Sequence, residues 1–171
     1  MLDPILALIL AFFAGLCVKS VDWIDDDRKG KYIIKWPLAM IYGGLIGFLI
    51  SQASFSTIFI SAMFAQVFAR KVDTHTHVLG FAFALLSLFW LGFPGLDATL
   101  FMFFALLAFF DELEVYGSMQ RFIEYRPFLK LGAFIMVLFG RYDYFLGIMA
   151  FDIGYILAEQ GLNRFFKNNQ K

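Results

Sequence analysis

The chain has 171 residues, is 61% hydrophobic and 20% aromatic, and carries 16% charged residues with a formal net charge of zero. A soluble domain is about 45–50% apolar and about 25% charged, so an interior of this size cannot hide the apolar surface, and lipid is the expected solvent. No basic arm or charge-rich tail is present, which argues against nucleic acid as a partner, and the single Cys17 excludes an intrachain disulfide and a thiolate metal motif.

An apolar run opens at Pro4 with no basic residue before it. A secretory signal starts with a positive segment, so the expectation is a retained first span. Apolar runs fall at 4–21, 34–51, 54–70, 77–94, 96–110, 127–140 and 142–163. They are continuous, where the strands of a membrane barrel would alternate in polarity. The expected fold is all-α: a polytopic integral membrane helix bundle of about seven transmembrane helices, forming one domain over 1–171. Six spans is the alternative, with the short run 127–140 re-entrant or at the interface, since a span needs ~20 residues.

The connections between runs alternate in character. All the basic residues except Arg141 fall on one side of such a bundle. The positive-inside bias makes that side cytoplasmic, with the N-terminus outside and the C-terminus inside, in a multi-pass cell-membrane protein. Gly43 and Gly47, four apart, and Gly147 and Gly154 on one face of the last run, mark expected helix-packing surfaces.

Three acidic patches recur at the cytoplasmic ends of runs one, three and five: 22–30, 71–77 and 111–114. Asp22, Asp25 and Asp26 are spaced i, i+3, i+4, so a helix continuing through them puts their carboxylates on one face. Asp111 and Glu114 are i, i+3, and Asp73 and His77 are i, i+4. Converging carboxylates against low-dielectric walls need a cation, a basic partner or a proton. Oxygen-rich sets suit Mg²⁺ or Mn²⁺, and imidazole shifts the preference toward Mn²⁺, Fe²⁺ or Zn²⁺. The expected metal set is Asp22, Asp25, Asp26, Asp73, His77, Asp111 and Glu114, with Lys29 and Arg121 completing a phosphate site. The plain alternative is that 25–27 is a solvated helix end and that His75 and His77 are ordinary interface histidines.

The stretch 22–30 resembles part of the aspartate-rich motif of the intramembrane prenyltransferases of the UbiA superfamily. Asp22 and Asp25 stand at two of its aspartates, while Val21 replaces the motif's Asn and Lys29 its last Asp; a second motif would fall on 111–114 and end in Glu114. The stretch 24–30 is similar to a cytoplasmic loop of the polyprenyl-phosphate sugar-1-phosphate transferases. Both likenesses are confined to short stretches and both families have larger folds, so neither assigns a family. They imply a common mechanism in which acidic residues hold Mg²⁺ and the metal grips a lipid diphosphate.

The first functional expectation is therefore a membrane enzyme acting on a lipid or prenyl phosphate at the cytoplasmic face, with Asp22, Asp25, Asp111 and Glu114 as its catalytic carboxylates. The second is a cation or proton transporter using Asp152, an ionisable residue inside the last run. The third is a non-catalytic scaffold or assembly subunit. Asp152 is expected to pair with Arg141 or to hold two helices together, and Asp97 to cap the helix after Pro94 and Gly95.

Overall fold

The structure, a computed structural model, describes residues 3–26, 32–113 and 126–168, with side chains to residue 165. Every apolar run becomes a helix. The helices are α1 (Pro4–Asp26), α2 (Lys35–Ile50), α3 (Ser56–Phe68), α4 (His75–Leu91), α5 (Ala98–Glu112), α6 (Pro127–Val137) and α7 (Tyr142–Asn168), and no strand occurs among the described residues. Glu114, Lys29 and Arg121 lie outside the described residues.

Local chemistry sets several boundaries. Helix α1 continues through Asp26, so its acidic residues do share a helical stretch. Thr74 caps α4, its hydroxyl accepting from His77 N at 3.2 Å, and this starts the helix two residues before its apolar run. Asp97 caps α5 by accepting from Leu100 N at 3.0 Å, as its place after Pro94 and Gly95 suggests. At the other end of α4, Gly92 takes φ 87°, a conformation that needs no Cβ. Pro127 stands in the first turn of α6, where its missing N–H costs nothing.

Small residues bring the helices together. In α1 the buried side is Ala7, Ala11, Ala14 and Gly15, whereas Ile5, Leu6, Ile9 and Phe13 face outward. A Cβ on Gly15 would overlap the Phe151 carbonyl, and one on Gly154 would overlap that of Phe12. Gly43 and Gly47 lie in the same way against the carbonyls of Gly80 and Ala84. Contacts advance together in sequence along α2 and α4, so these two run parallel. The same holds for α3 and α5, where Ser56 Oγ donates to Gly95 O at 3.2 Å and Ser61 Oγ to Phe101 O at 3.1 Å. Helices α2, α1, α7, α6, α5 and α3 each touch the next, α3 touches α2 again, and α4 packs on α2. Phe104, Tyr144, Ile58, Leu49, Phe59 and Leu129 belong to the main core.

Two helices, Pro4–Asp26 and Tyr142–Phe165, are long and apolar enough to cross a membrane. The other five are shorter. The side chains facing away from the bundle are large and apolar; Phe89 is 89% exposed, Trp90 88% and Leu138 80%.

Candidate functional site

Most of the charge among the described residues gathers at one end of the bundle, formed by the last turns of α1 and α5, the first turns of α2, α4 and α6, and the middle of α7. On α1, Lys19 and Asp22 are one turn apart. On α7, Asp152, Tyr155 and Glu159 follow the i, i+3, i+7 spacing of one helix face. The close approach of the two helices presses these faces together. Tyr155 donates its phenol to Asp22 Oδ2 at 3.0 Å. Lys19 Nζ lies 3.3 Å from Glu159, donates to the Tyr155 oxygen at 3.4 Å, and sits 4.8 Å from the centre of the Tyr155 ring.

Helix α4 adds an imidazole. His77 Nε2 lies 3.2 Å from Asp22 Oδ1. The contact lacks hydrogen-bond geometry, and Asp22 Oδ1 is closed off from solvent without a hydrogen bond. One turn further along α1, the buried Asp25 side chain takes Lys35 Nζ at 2.7 Å and the Thr74 hydroxyl at 3.2 Å. Thr76 is fully buried, and its hydroxyl lies against the Asp25 carboxylate. The first two acidic patches therefore meet directly, through Asp22 with His77 and Asp25 with Thr74. Asp26, Asp73 and His75 are exposed.

The third patch joins through Arg126. Its guanidinium is 3.7 Å from Glu112 and 5.7 Å from the ring centres of both Phe151 and Tyr155. Burial opposes its charge, but the carboxylates of Glu112, Asp152 and Asp22 outweigh that and hold it more firmly protonated than an ordinary arginine. Its backbone is left-handed, with φ 49° and ψ 56°, which costs about 1–2 kcal/mol in a residue with a Cβ. Asp111 has a structural task. Its two oxygens accept the amides of Phe128 at 3.0 Å and Leu129 at 2.7 Å, capping α6 where the Arg126 side chain does not.

Asp152 is buried, 7% exposed, and pairs with Lys130 of α6 at 2.7 Å. It does not pair with Arg141, which binds Asp143 at 3.0 Å and covers the Tyr144 ring at 4.1 Å. The physical reason is direction. Helix α6 starts at the charged end and runs back beside α7, so its first turn reaches the middle of α7, whereas Arg141 lies at the opposite end. Lys130 is the sole charged residue in 127–140, a signal available in the sequence.

Lys19, Tyr155, Arg126 and Lys130 thus belong to the site although the acidic patches did not point to them, and within the second patch it is Thr74, not Asp73, that reaches Asp25. Among the described residues, no group of three or more His, Cys, Asp or Glu is placed to hold a metal ion. Comparison with family models, with curated proteins and with solved structures finds no match.

Proposed function

We propose that the chain is a multi-pass membrane protein, N-terminus outside and C-terminus cytoplasmic, whose charged end acts on the phosphate of a lipid or prenyl substrate. The membrane part rests on the distribution of side-chain size. Where α1 meets α7 and α2 meets α4, small residues lie buried between the helices, and many large apolar side chains face outward, the arrangement expected where lipid surrounds the bundle and packing depends on close backbone approach. The short helices reach across with their uncharged flanking turns and by local thinning, at a fraction of a kcal/mol per Å of mismatch.

The single observation carrying the enzyme reading is the meeting of Asp22, His77 and Tyr155 from three helices, with Lys19 and Arg126 against the same Tyr155 ring. Acid–base groups beside two cations, at the depth of lipid headgroups, fit recognition and reaction of a phosphate whose apolar tail stays in the bilayer. The test is turnover of a polyprenyl diphosphate panel by detergent-purified protein, with and without Mg²⁺ or Mn²⁺. The expected result is release of phosphate or transfer of the prenyl group that falls at least roughly a hundredfold in His77→Gln, the range of lost acid–base catalysis. Full turnover in that variant removes the proposal.

A second reading is favoured by Asp152, buried within α7 against Lys130. An intramembrane ion pair of this kind also occurs on ion or proton paths. Proteoliposome flux that vanishes in Asp152→Asn, with no lipid-phosphate turnover, would replace the enzyme by a transporter.

A further inference from the structure

We propose that the side of the bundle formed by α3, α5 and α6 is a thin edge that compresses the bilayer around it, and that the lipid it fits is one with short chains. This rests on the membrane half of the reading above and not on the enzyme. Helices α6, α5 and α3 follow one another around the bundle. They have 11, 15 and 13 residues, which at a rise of about 1.5 Å per residue makes roughly 17, 23 and 20 Å. The hydrocarbon core of a bilayer is about 30 Å thick. Helices α1 and α7, packed on each other, have 23 and 27 residues and reach roughly 35 and 40 Å. Charge also brackets α6 closely, with Lys130 in its first turn and Arg141 just past its closing turn. Asp152 of α7 turns inward to Lys130, so the outward stripe of that longer helix stays apolar from Tyr142 through Leu146 and Ile153 to Leu157.

The side chains on this edge say what covers it. Phe64 and Phe68 of α3, Met102 and Leu106 of α5, and Leu131 and Phe134 of α6 are exposed, large and apolar. Where helices of this chain approach closely, at Gly15, Gly154, Gly43 and Gly47, the missing side chain lets backbone meet backbone. Helices in a membrane associate through such small residues. The one glycine in α3, α5 and α6 is Gly132, and it already packs inside the bundle against Leu107 and Phe103. Lipid therefore fits the edge better than a second copy of the chain. A span shorter than the hydrocarbon is accommodated by thinning the bilayer, by snorkelling of flanking charges or by oligomerising. Snorkelling needs a free, long side chain, but Lys130 is tied to Asp152 and Arg141 to Asp143. The bilayer is left to yield.

The experiment places the full-length protein in phosphatidylcholine vesicles of short, medium and long monounsaturated chains. Resistance to an alkaline wash is read first, and extraction by that wash removes the membrane reading and this edge with it. In a Cys17→Ala background, spin labels are then attached to Leu131→Cys, Phe134→Cys or Leu138→Cys, all exposed positions along α6 and its closing turn. Collision with oxygen and with a water-soluble nickel complex reads their depth. The label at Phe134→Cys is expected to lie deepest, with both others near headgroups in every bilayer. The thermal unfolding midpoint of the unlabelled wild type is expected to fall from short chains to long. A depth that increases steadily from Leu131→Cys to Leu138→Cys makes α6 a half-crossing helix and overturns the proposal. So does a midpoint that is flat or rises with chain length. Spin–spin broadening between copies labelled at Phe134→Cys would cover the edge with a second chain and overturn it as well. Loss of lipid-phosphate turnover with these results intact removes the enzyme and keeps the edge.

Discussion

The Tyr155 phenol of α7 donates to the Asp22 carboxylate of α1 at 3.0 Å, joining the last helix of the chain to the first across the charged end. Removing this donor strands a carboxylate oxygen in a largely buried place. Tyr155→Phe is expected to destabilise the protein by about 1–3 kcal/mol, read as a lower midpoint of thermal unfolding in detergent. An unchanged midpoint would mean that water replaces the phenol freely.

The Lys130–Asp152 pair gives a sharper test, because a buried charge without its partner costs far more than the pair contributes. Lys130→Met is expected to cost about 3–5 kcal/mol, and the double variant Lys130→Met, Asp152→Leu to recover most of it. A double variant as unstable as the single one would show that Asp152 is held mainly by other groups.

Two glycines on α2, adjacent in sequence, should answer oppositely to alanine. A Cβ at Gly43 overlaps the Gly80 carbonyl, so Gly43→Ala forces α2 from α4 and should cost about 1–3 kcal/mol. At Gly44 the nearest atom to a Cβ is Ser87 Oγ at 3.8 Å, and Gly44→Ala should stabilise by up to about 1 kcal/mol through helix propensity. Unfolding midpoints of the two variants compare them directly.

Asp111→Ala should cost about 1–2 kcal/mol by uncapping α6, read as a lower midpoint of thermal unfolding in detergent. Asp111→Asn, which keeps one carbonyl acceptor, should lose less. An unchanged midpoint in Asp111→Ala would mean that water caps the helix in its place.

Orientation can be read with thiol labelling in intact cells. In a Cys17→Ala background, Ala53→Cys and His75→Cys place thiols at exposed positions on opposite ends of the bundle. A membrane-impermeant maleimide should reach Ala53→Cys from outside and His75→Cys after permeabilisation only. The reverse pattern would invert the topology drawn from the basic residues.

The helices were legible in the sequence because apolar runs punctuated by Gly, Pro and charged loops depend on local chemistry, and so was the Asp97 cap. The extension of α1 to Asp26, beyond the apolar run that ends at 21, was not, because charged residues at 22–26 read equally as a loop. The packing glycines Gly43 and Gly47 were legible for the same reason. Partnerships across the bundle were harder to read. Nothing near Asp111 in sequence announces that it caps a helix beginning sixteen residues later, at Pro127. Tyr155 escaped notice because it reads as one more aromatic in a chain with 24 Phe and 7 Tyr. Its spacing from Asp152 and Glu159 was the available clue. The basic residues expected beside the acidic patches were Lys29 and Arg121, which left Lys19, Arg126 and Lys130 unread.

The pressing of α7 onto α1, with Gly15 and Gly154 each seated on the other helix's backbone, has a consequence for synthesis. The first helix leaves the ribosome long before its principal neighbour exists. Until then its small-residue flank meets lipid or a temporary companion, and Asp22 has neither the Tyr155 phenol nor the neighbouring Arg126 charge. The charged end is therefore a late product of biogenesis, assembled when the C-terminal helix arrives, and a chain cut short before α7 would carry the acidic motif without the partners that hold it.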